Sequence, residues 1–265
     1  MSAITTSDLL AARFTALAAA RRKALVVYIT AGHPDPARSI ALMRAAEERG
    51  ADVLEVGVPF SDPMADGPVI QESSRVALGH DVTFDRTLEM IAEARLTIPV
   101  VLFSYLNPVL AAGSDALERA AAAGAHGILL TDLPVGADPS LEARIAAGPL
   151  SFVRLVAPTT PTSRMTEIAR HGSGFVYLIS RLGVTGARTD LPPDLAATVA
   201  RLRTAARLPI CVGFGISTPE QARAVATLAD GVVVGSAVVR AASRGVEHAA
   251  SLIGSLRTAI DDAGA

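Results

Sequence analysis

Short, nearly uninterrupted apolar runs alternate along the chain with longer stretches in which apolar residues recur every three or four positions. The runs fall at 24–30, 52–58, 100–104, 127–131, 151–156, 175–180, 210–213 and 231–235. A strand apolar at every position is buried on both faces, as in a parallel sheet covered by helices. The intervening stretches, among them 37–49, 83–94, 115–123 and 219–228, are rich in Ala, Arg and Glu at helical spacing. Ser217-Thr218-Pro219-Glu220 offers a cap followed by proline at the first helical position. Gly50 and Gly124 follow helical stretches as C-terminal caps. About eight β–α units in 265 residues predict one (β/α)8 barrel, a TIM barrel, as a single domain over 1–265. An extra N-terminal helix covers the bottom. The alternative is an open doubly wound sheet, but no strand leads into a clean G-x-G-x-x-G turn. No linker or shift in composition divides the chain.

Composition narrows the setting. Half the residues are hydrophobic and only 4% are aromatic, so the core is built mainly from Ala, Val, Leu and Ile. A net charge of -2 argues against a nucleic-acid footprint. No apolar run approaches the ~20 residues of a membrane span. The first 17 residues lack the charged start and apolar run of a signal peptide, so a soluble cytoplasmic protein is expected. Cys211 is the only cysteine, which excludes an intrachain disulfide; on the seventh strand it reads as a small buried hydrophobe. Lys23 is the only lysine and precedes the first strand, on the face away from the strand ends. The five histidines show no metal-ligand spacing, and only His33 lies near the functional face.

In a barrel of this type chemistry sits in the loops after the strands' C-terminal ends. Gly213-Phe214-Gly215-Ile216-Ser217 leaves strand seven and opens a helix, and Val234-Gly235-Ser236 leaves strand eight likewise. Glycines let backbone N–H groups approach an anion, and a helix N-terminus adds partial positive charge. Such glycines can also be plain turn formers; the two motifs together, in the expected places, point to phosphate. The sixth loop, 180–188, is glycine-rich and polar and reads as a lid. On strand two, Glu55 shares a face with Val53 and Gly57. It is either an acid–base group, an ion-pair partner, or a residue turned outward by the wrong register. No arginine is adjacent on the neighbouring strand runs. Asp66, between prolines and glycines, reads by spacing alone as a turn residue. Tyr28 and Tyr177 could point at a substrate or belong to the core. Asp132 could bind substrate or cap a loop.

A phosphate-binding barrel with an acid on a strand suggests sugar-phosphate chemistry, including carbon–carbon cleavage. Retro-aldol cleavage needs an electron sink, commonly a Schiff-base lysine or a Lewis-acid metal. The lone lysine is on the wrong face and no metal cluster is visible in the sequence. The substrate must then carry the sink, and an indole ring protonated at C3 can serve.

The residues themselves match a known family. The stretch 54–71, with Glu-x-Gly-Val-Pro-Phe-Ser-Asp-Pro-x-Ala-Asp-Gly-Pro, resembles the signature of the tryptophan synthase alpha subunit. The sixth loop, 177–188, the phosphate motifs and the end of strand one, Tyr28-Ile-Thr-Ala-Gly32, are similar as well, in order over nearly the whole chain. The resemblance implies cleavage of indole-3-glycerol phosphate to indole and D-glyceraldehyde 3-phosphate, with no cofactor on this chain. It makes Glu55 the acid–base residue, Asp66 the partner of the indole N–H, and Tyr177 a neighbour of Glu55 in the active site. Arg181 and Thr185 fall in the lid, with Thr185 meeting Asp66 on closure. Gly186, Gly215, Gly235 and Ser236 would hold phosphate. Phe214 would wall the indole pocket, with Tyr28 and Asp132 beside it. Pro59 and Asp62 would face a beta subunit that carries pyridoxal phosphate, in an alpha2-beta2 heterotetramer. Met64, Thr131 and His33 depart from the usual residues. A stand-alone lyase releasing free indole, or a subunit that no longer cleaves and only activates a partner, are the alternatives.

Overall fold

The computed structural model describes residues 6–180, 192–213 and 215–263. Eight parallel strands close in sequence order into a barrel: β1 (Ala24–Thr30), β2 (Val53–Gly57), β3 (Val100–Ser104), β4 (Gly127–Leu130), β5 (Ser151–Val156), β6 (Val176–Ile179), β7 (Ile210–Gly213) and β8 (Gly231–Val234). Around it lie α1 (Thr6–Ala19), α2 (Pro36–Glu48), α3 (Pro68–Leu78), α4 (Phe84–Ala94), α5 (Leu106–Ala111), α6 (Ala116–Ala122) and α7 (Pro139–Ala146). The chain continues through α8 (Thr162–Arg170), α9 (Leu195–Ala205), α10 (Pro219–Ala226), α11 (Ser236–Ala242) and α12 (Val246–Asp261). The apolar runs thus become the strands, trimmed by a residue or so at their ends. The helix starts obey local chemistry. Asp35, Thr83 and Asp138 cap α2, α4 and α7 through their side chains, and Thr218 with Gln221 forms a capping box on α10. Gly50 and Gly124 follow their helices with φ of 92° and 103°, the left-handed conformation that glycine adopts most freely.

Two apolar clusters divide the work. The outward-facing strand residues pack against the helices. The inward-facing ones, including Val26, Val53, Val101, Leu129, Val153, Phe175 and Val233, fill the barrel. Leu10, Phe14 and Leu17 of α1 join this inner cluster, with the Phe14 and Phe175 rings 5.5 Å apart. The N-terminal helix therefore plugs the lower end, and the layer of side chains above it leaves the upper end for the site.

The lower end is also bolted by charge. Asp52, just before β2 and 1% exposed, accepts hydrogen bonds from the Leu25 amide at 2.8 Å, from Arg257 Nη1 at 2.8 Å and from Arg13 Nη2 at 2.5 Å. Arg257 donates further to Asp261 and to the Lys23 carbonyl. One carboxylate thus ties α1, β1 and α12 to the start of β2. A buried charge needs this degree of satisfaction to be tolerated. Lys23 sits in this lower region beside Phe14 and Leu17, far from the strands' C-terminal ends.

Candidate active site

β2 delivers Glu55 into the barrel. Its register neighbours are Tyr28 on β1 and Val101 on β3, so all three point to the same inner layer. Glu55 is 1% exposed, belongs to no ion pair among the described residues, and its Oε1 has no hydrogen-bond partner among them. Desolvation alone pushes its carboxyl up to about 8, so the group is neutral at neutral pH and holds a proton it can give away. The outward-turned and ion-pair readings of Glu55 are thereby set aside.

Two tyrosines flank it, each fitted into space left by a glycine at a strand end. A Cβ on Gly57 would come within 2.1 Å of the Tyr28 hydroxyl, and one on Gly213 within 2.2 Å of the Tyr177 hydroxyl. A side chain larger than hydrogen at either position would expel the ring beside it. The Tyr28 hydroxyl lies 3.4 Å from Thr30 Oγ1, which is 2.6 Å from Ser73 Oγ, and Ser73 donates to the Ile70 carbonyl. This buried relay anchors the start of α3 to β1. Burial, reinforced by the nearby carboxylates, raises both phenols above their ordinary range, so each stays protonated.

Asp66 comes from the loop between β2 and α3. The backbone makes the expected turn, with the Asp66 amide donating to the Pro63 carbonyl at 3.0 Å. The side chain does more than close that turn. It is 8% exposed and faces the same cavity as Glu55. Tyr105 Oη donates to Asp66 Oδ2 at 3.1 Å and accepts from the Ala65 amide at 2.9 Å, while its ring packs on Phe60 with centroids 5.1 Å apart. Gln71 donates to the Asp66 carbonyl. Burial pushes the Asp66 carboxyl up to about 6, and the Tyr105 hydrogen bond opposes that rise. Two carboxylates in one cavity are thus held with opposite protonation at neutral pH, Glu55 neutral and Asp66 ionised.

The cavity opens to solvent, and the free space in it and at its mouth totals about 820 Å³. Tyr28, Glu55, Phe103 and Tyr177 from the strands, with Asp66, line it together with Gly215, Ser217, Gly235, Ser236 and Arg240 from the segments after β7 and β8. Gly215 has φ +85° and nothing within 4 Å of a Cβ position, and a Cβ on Gly235 would press on the Tyr28 side chain at 3.3 Å. The glycines open the backbone to the cavity and keep the tyrosine in place. The sequence-picked residues Tyr28, Glu55, Asp66, Tyr177, Gly215, Gly235 and Ser236 therefore converge on one space.

Three further described picks, Asp132, Pro59 and Asp62, do not line this space. Asp132 is exposed, does not line the cavity, and accepts a hydrogen bond from the Leu106 amide at 2.7 Å; it staples the start of α5. Its loop-capping reading is the one the geometry favours over a place in a binding pocket. Pro59 is buried within the chain, whereas Asp62 is exposed and accepts from Ser61 Oγ at 2.5 Å. Arg181, Thr185, Gly186 and Phe214 lie outside the described residues. Tyr105 and Arg240 were not singled out in the sequence. Tyr105 directly follows β3, where the strand-end rule could have flagged it; Arg240 carries no such signal. Among the described residues no cluster of His, Cys, Asp and Glu is arranged to hold a metal ion.

The fold and site define a (β/α)8 barrel whose mouth combines two carboxylates of opposite protonation with a glycine-lined wall. The family model for the tryptophan synthase alpha chain matches residues 14–261. A tryptophan synthase alpha chain from Desulfatibacillum aliphaticivorans is 48% identical over 238 residues, covering 89% of this chain and 90% of the relative. One from Laribacter hongkongensis is 46% identical over 94% of this chain and 97% of the relative. The crystal structure of tryptophan synthase subunit alpha from Legionella pneumophila superposes with a TM-score of 0.88 at 38% identity, covering 98% of this chain and 100% of that one. A chain of Mycobacterium tuberculosis tryptophan synthase gives 0.87 at 36% identity, covering 95% and 98%. The chain belongs to the tryptophan synthase alpha chain family and is a lyase of tryptophan biosynthesis.

Proposed function

We propose that the cavity cleaves indole-3-glycerol phosphate, with the indole ring at Glu55 and Asp66 and the phosphate at Gly215, Gly235 and Ser236. The observation that carries this reading is Glu55 itself: a buried carboxyl, unpartnered at Oε1, protonated at neutral pH and aimed into the cavity. Glu55 gives its proton to indole C3, and the ring becomes an iminium-like cation. The Asp66 carboxylate, itself buried, accepts the indole N–H and stabilises that charge. The glycerol hydroxyl on the carbon attached to C3 then loses its proton to the Glu55 carboxylate. The O–H electrons form the aldehyde C=O, the C–C electrons return to the ring, and indole and D-glyceraldehyde 3-phosphate result. Protons and electrons balance, with Glu55 returned to its starting state. No step requires a cofactor on this chain. Tyr177 and Tyr28, kept protonated by burial, shape the space around Glu55 and exclude water.

Membership of this family implies a tryptophan synthase beta subunit as partner. We place the contact on the loop after β2, where Asp62 is exposed and Met64 is 85% exposed, an unusual degree for an apolar side chain. An alpha2-beta2 assembly, with pyridoxal phosphate on the beta subunit, follows from the same reading. Among the described residues no helix is long and apolar enough to cross a membrane. Incubation of the purified chain with indole-3-glycerol phosphate, with and without a beta-type partner, tests the proposal. Release of indole and D-glyceraldehyde 3-phosphate in equal amounts is expected; no cleavage under either condition would overturn it.

A further inference from the structure

We propose that Arg240 is the counter-charge for the substrate's phosphate, a binding residue that sets affinity for phosphorylated over unphosphorylated ligands. This rests on the placement of phosphate at Gly215, Gly235 and Ser236. Those residues offer backbone donors and a hydroxyl, which orient an anion but carry no net charge. The cavity also holds the ionised Asp66, which repels a phosphate dianion entering the same space. Among the described residues lining the cavity, Arg240 is the only cation. It lies one helical turn beyond Ser236 on α11, so both side chains share a face. Long helical side chains lean back toward the helix N-terminus and cover the preceding turn. Arg240 accordingly takes its place in the cavity wall together with Ser236. It forms no ion pair among the described residues, so its charge is free for a ligand. A planar fork of donors suits phosphate oxygens. The competing explanation is helix electrostatics alone, since Arg240 lies in the last turn of α11 and complements its dipole. That role would touch stability and leave ligand affinity unmoved.

The test is titration of wild type, Arg240→Gln and Arg240→Lys with glycerol 3-phosphate and, separately, glycerol, combined with the kinetics of indole release. An exposed charge-assisted contact predicts roughly five- to twentyfold weaker glycerol 3-phosphate binding in Arg240→Gln. Arg240→Lys is expected to recover most of the loss, KM to rise with little change in kcat, and the salt dependence of binding to flatten in the Gln variant. Binding of glycerol 3-phosphate to Arg240→Gln within twofold of wild type, with cleavage intact, would overturn the role of Arg240 and leave the cleavage reading standing. A wild type that neither binds glycerol 3-phosphate nor releases indole would overturn both.

Discussion

Tyr105→Phe removes one hydroxyl and should move one limb of the pH–rate profile. In the free protein Asp66 ionises near 6 and Glu55 near 8, so kcat/KM should rise through about 6 as Asp66 gains its charge. It should fall above about 8 as Glu55 loses the proton it donates. The Tyr105 hydroxyl holds the Asp66 carboxylate at 3.1 Å and favours its ionised form. A hydrogen bond to a charged group contributes about 1.5–3 kcal/mol, and a pKa unit corresponds to about 1.4 kcal/mol. Part of the bond's worth is recovered by solvent, because the cavity is open, so the low end applies. The acid limb should therefore move from about 6 toward 7 or slightly above, while the alkaline limb, set by Glu55, whose shift comes from burial alone, stays in place. The sign is fixed by the chemistry: losing a donor to a carboxylate favours its neutral form, and activity that requires the anion is then lost at higher pH. The assay is indole release at low substrate across pH 5 to 9 for wild type and variant. An acid limb that stays put or moves downward would refute the coupling of Tyr105 to Asp66. A profile flat over this range in the wild type would refute the assignment of both carboxylates.

Further expectations follow from the same geometry. Asp66→Asn should lower kcat/KM by about a hundredfold or more, since a fixed charge facing a developing cation contributes about 3 kcal/mol; a loss below tenfold in the indole assay would remove it from the mechanism. Glu55 is raised from 4.5 to about 8 in the fold, so the folded state binds the extra proton between those values. Wild-type stability should therefore decline as pH rises from about 4.5 to 8, while Glu55→Gln, which cannot ionise, should lack this decline and gain up to about 5 kcal/mol on wild type by pH 9. Urea unfolding at several pH values checks this, and parallel curves would contradict it. Asp52→Ala should destabilise by about 1–3 kcal/mol, because it leaves the Leu25 amide unpaired and takes from Arg257 one of its two carboxylate partners; a change under about 0.5 kcal/mol would show that bolt to be incidental.

The legible part of this molecule is the part written in local pattern. Eight apolar runs mark eight strands because every strand position is buried, and the caps at Gly50, Gly124 and Thr218 are short-range chemistry. Glu55 is visible because a carboxylate in the middle of an apolar strand is costly unless used. Asp66 is not visible in the same way. Its Asp-Gly setting is a real turn, and only its burial against Tyr105, 39 positions away, separates it from an ordinary loop acid. Asp132 sits at a strand end, where substrate binding and loop capping are both open from the sequence, and its carboxylate accepts from the Leu106 amide, 26 positions away. Asp52 looked like part of a strand, and its partners Arg13 and Arg257 lie 39 and 205 positions away. Arg240 depends on the direction a helix gives its side chains, which spacing alone does not connect to a ligand.

In the proposed mechanism one buried carboxyl, Glu55, supplies and recovers the proton that breaks the carbon–carbon bond. Glu55→Gln keeps size and polarity and removes only that proton. Stopped assays of indole release from indole-3-glycerol phosphate, with circular dichroism confirming the fold, compare it directly with wild type. Glu55→Gln should lose at least about three orders of magnitude in cleavage, within the range ascribed to positioned acid–base groups, with substrate still bound. Cleavage by folded Glu55→Gln within tenfold of wild type would contradict that mechanism.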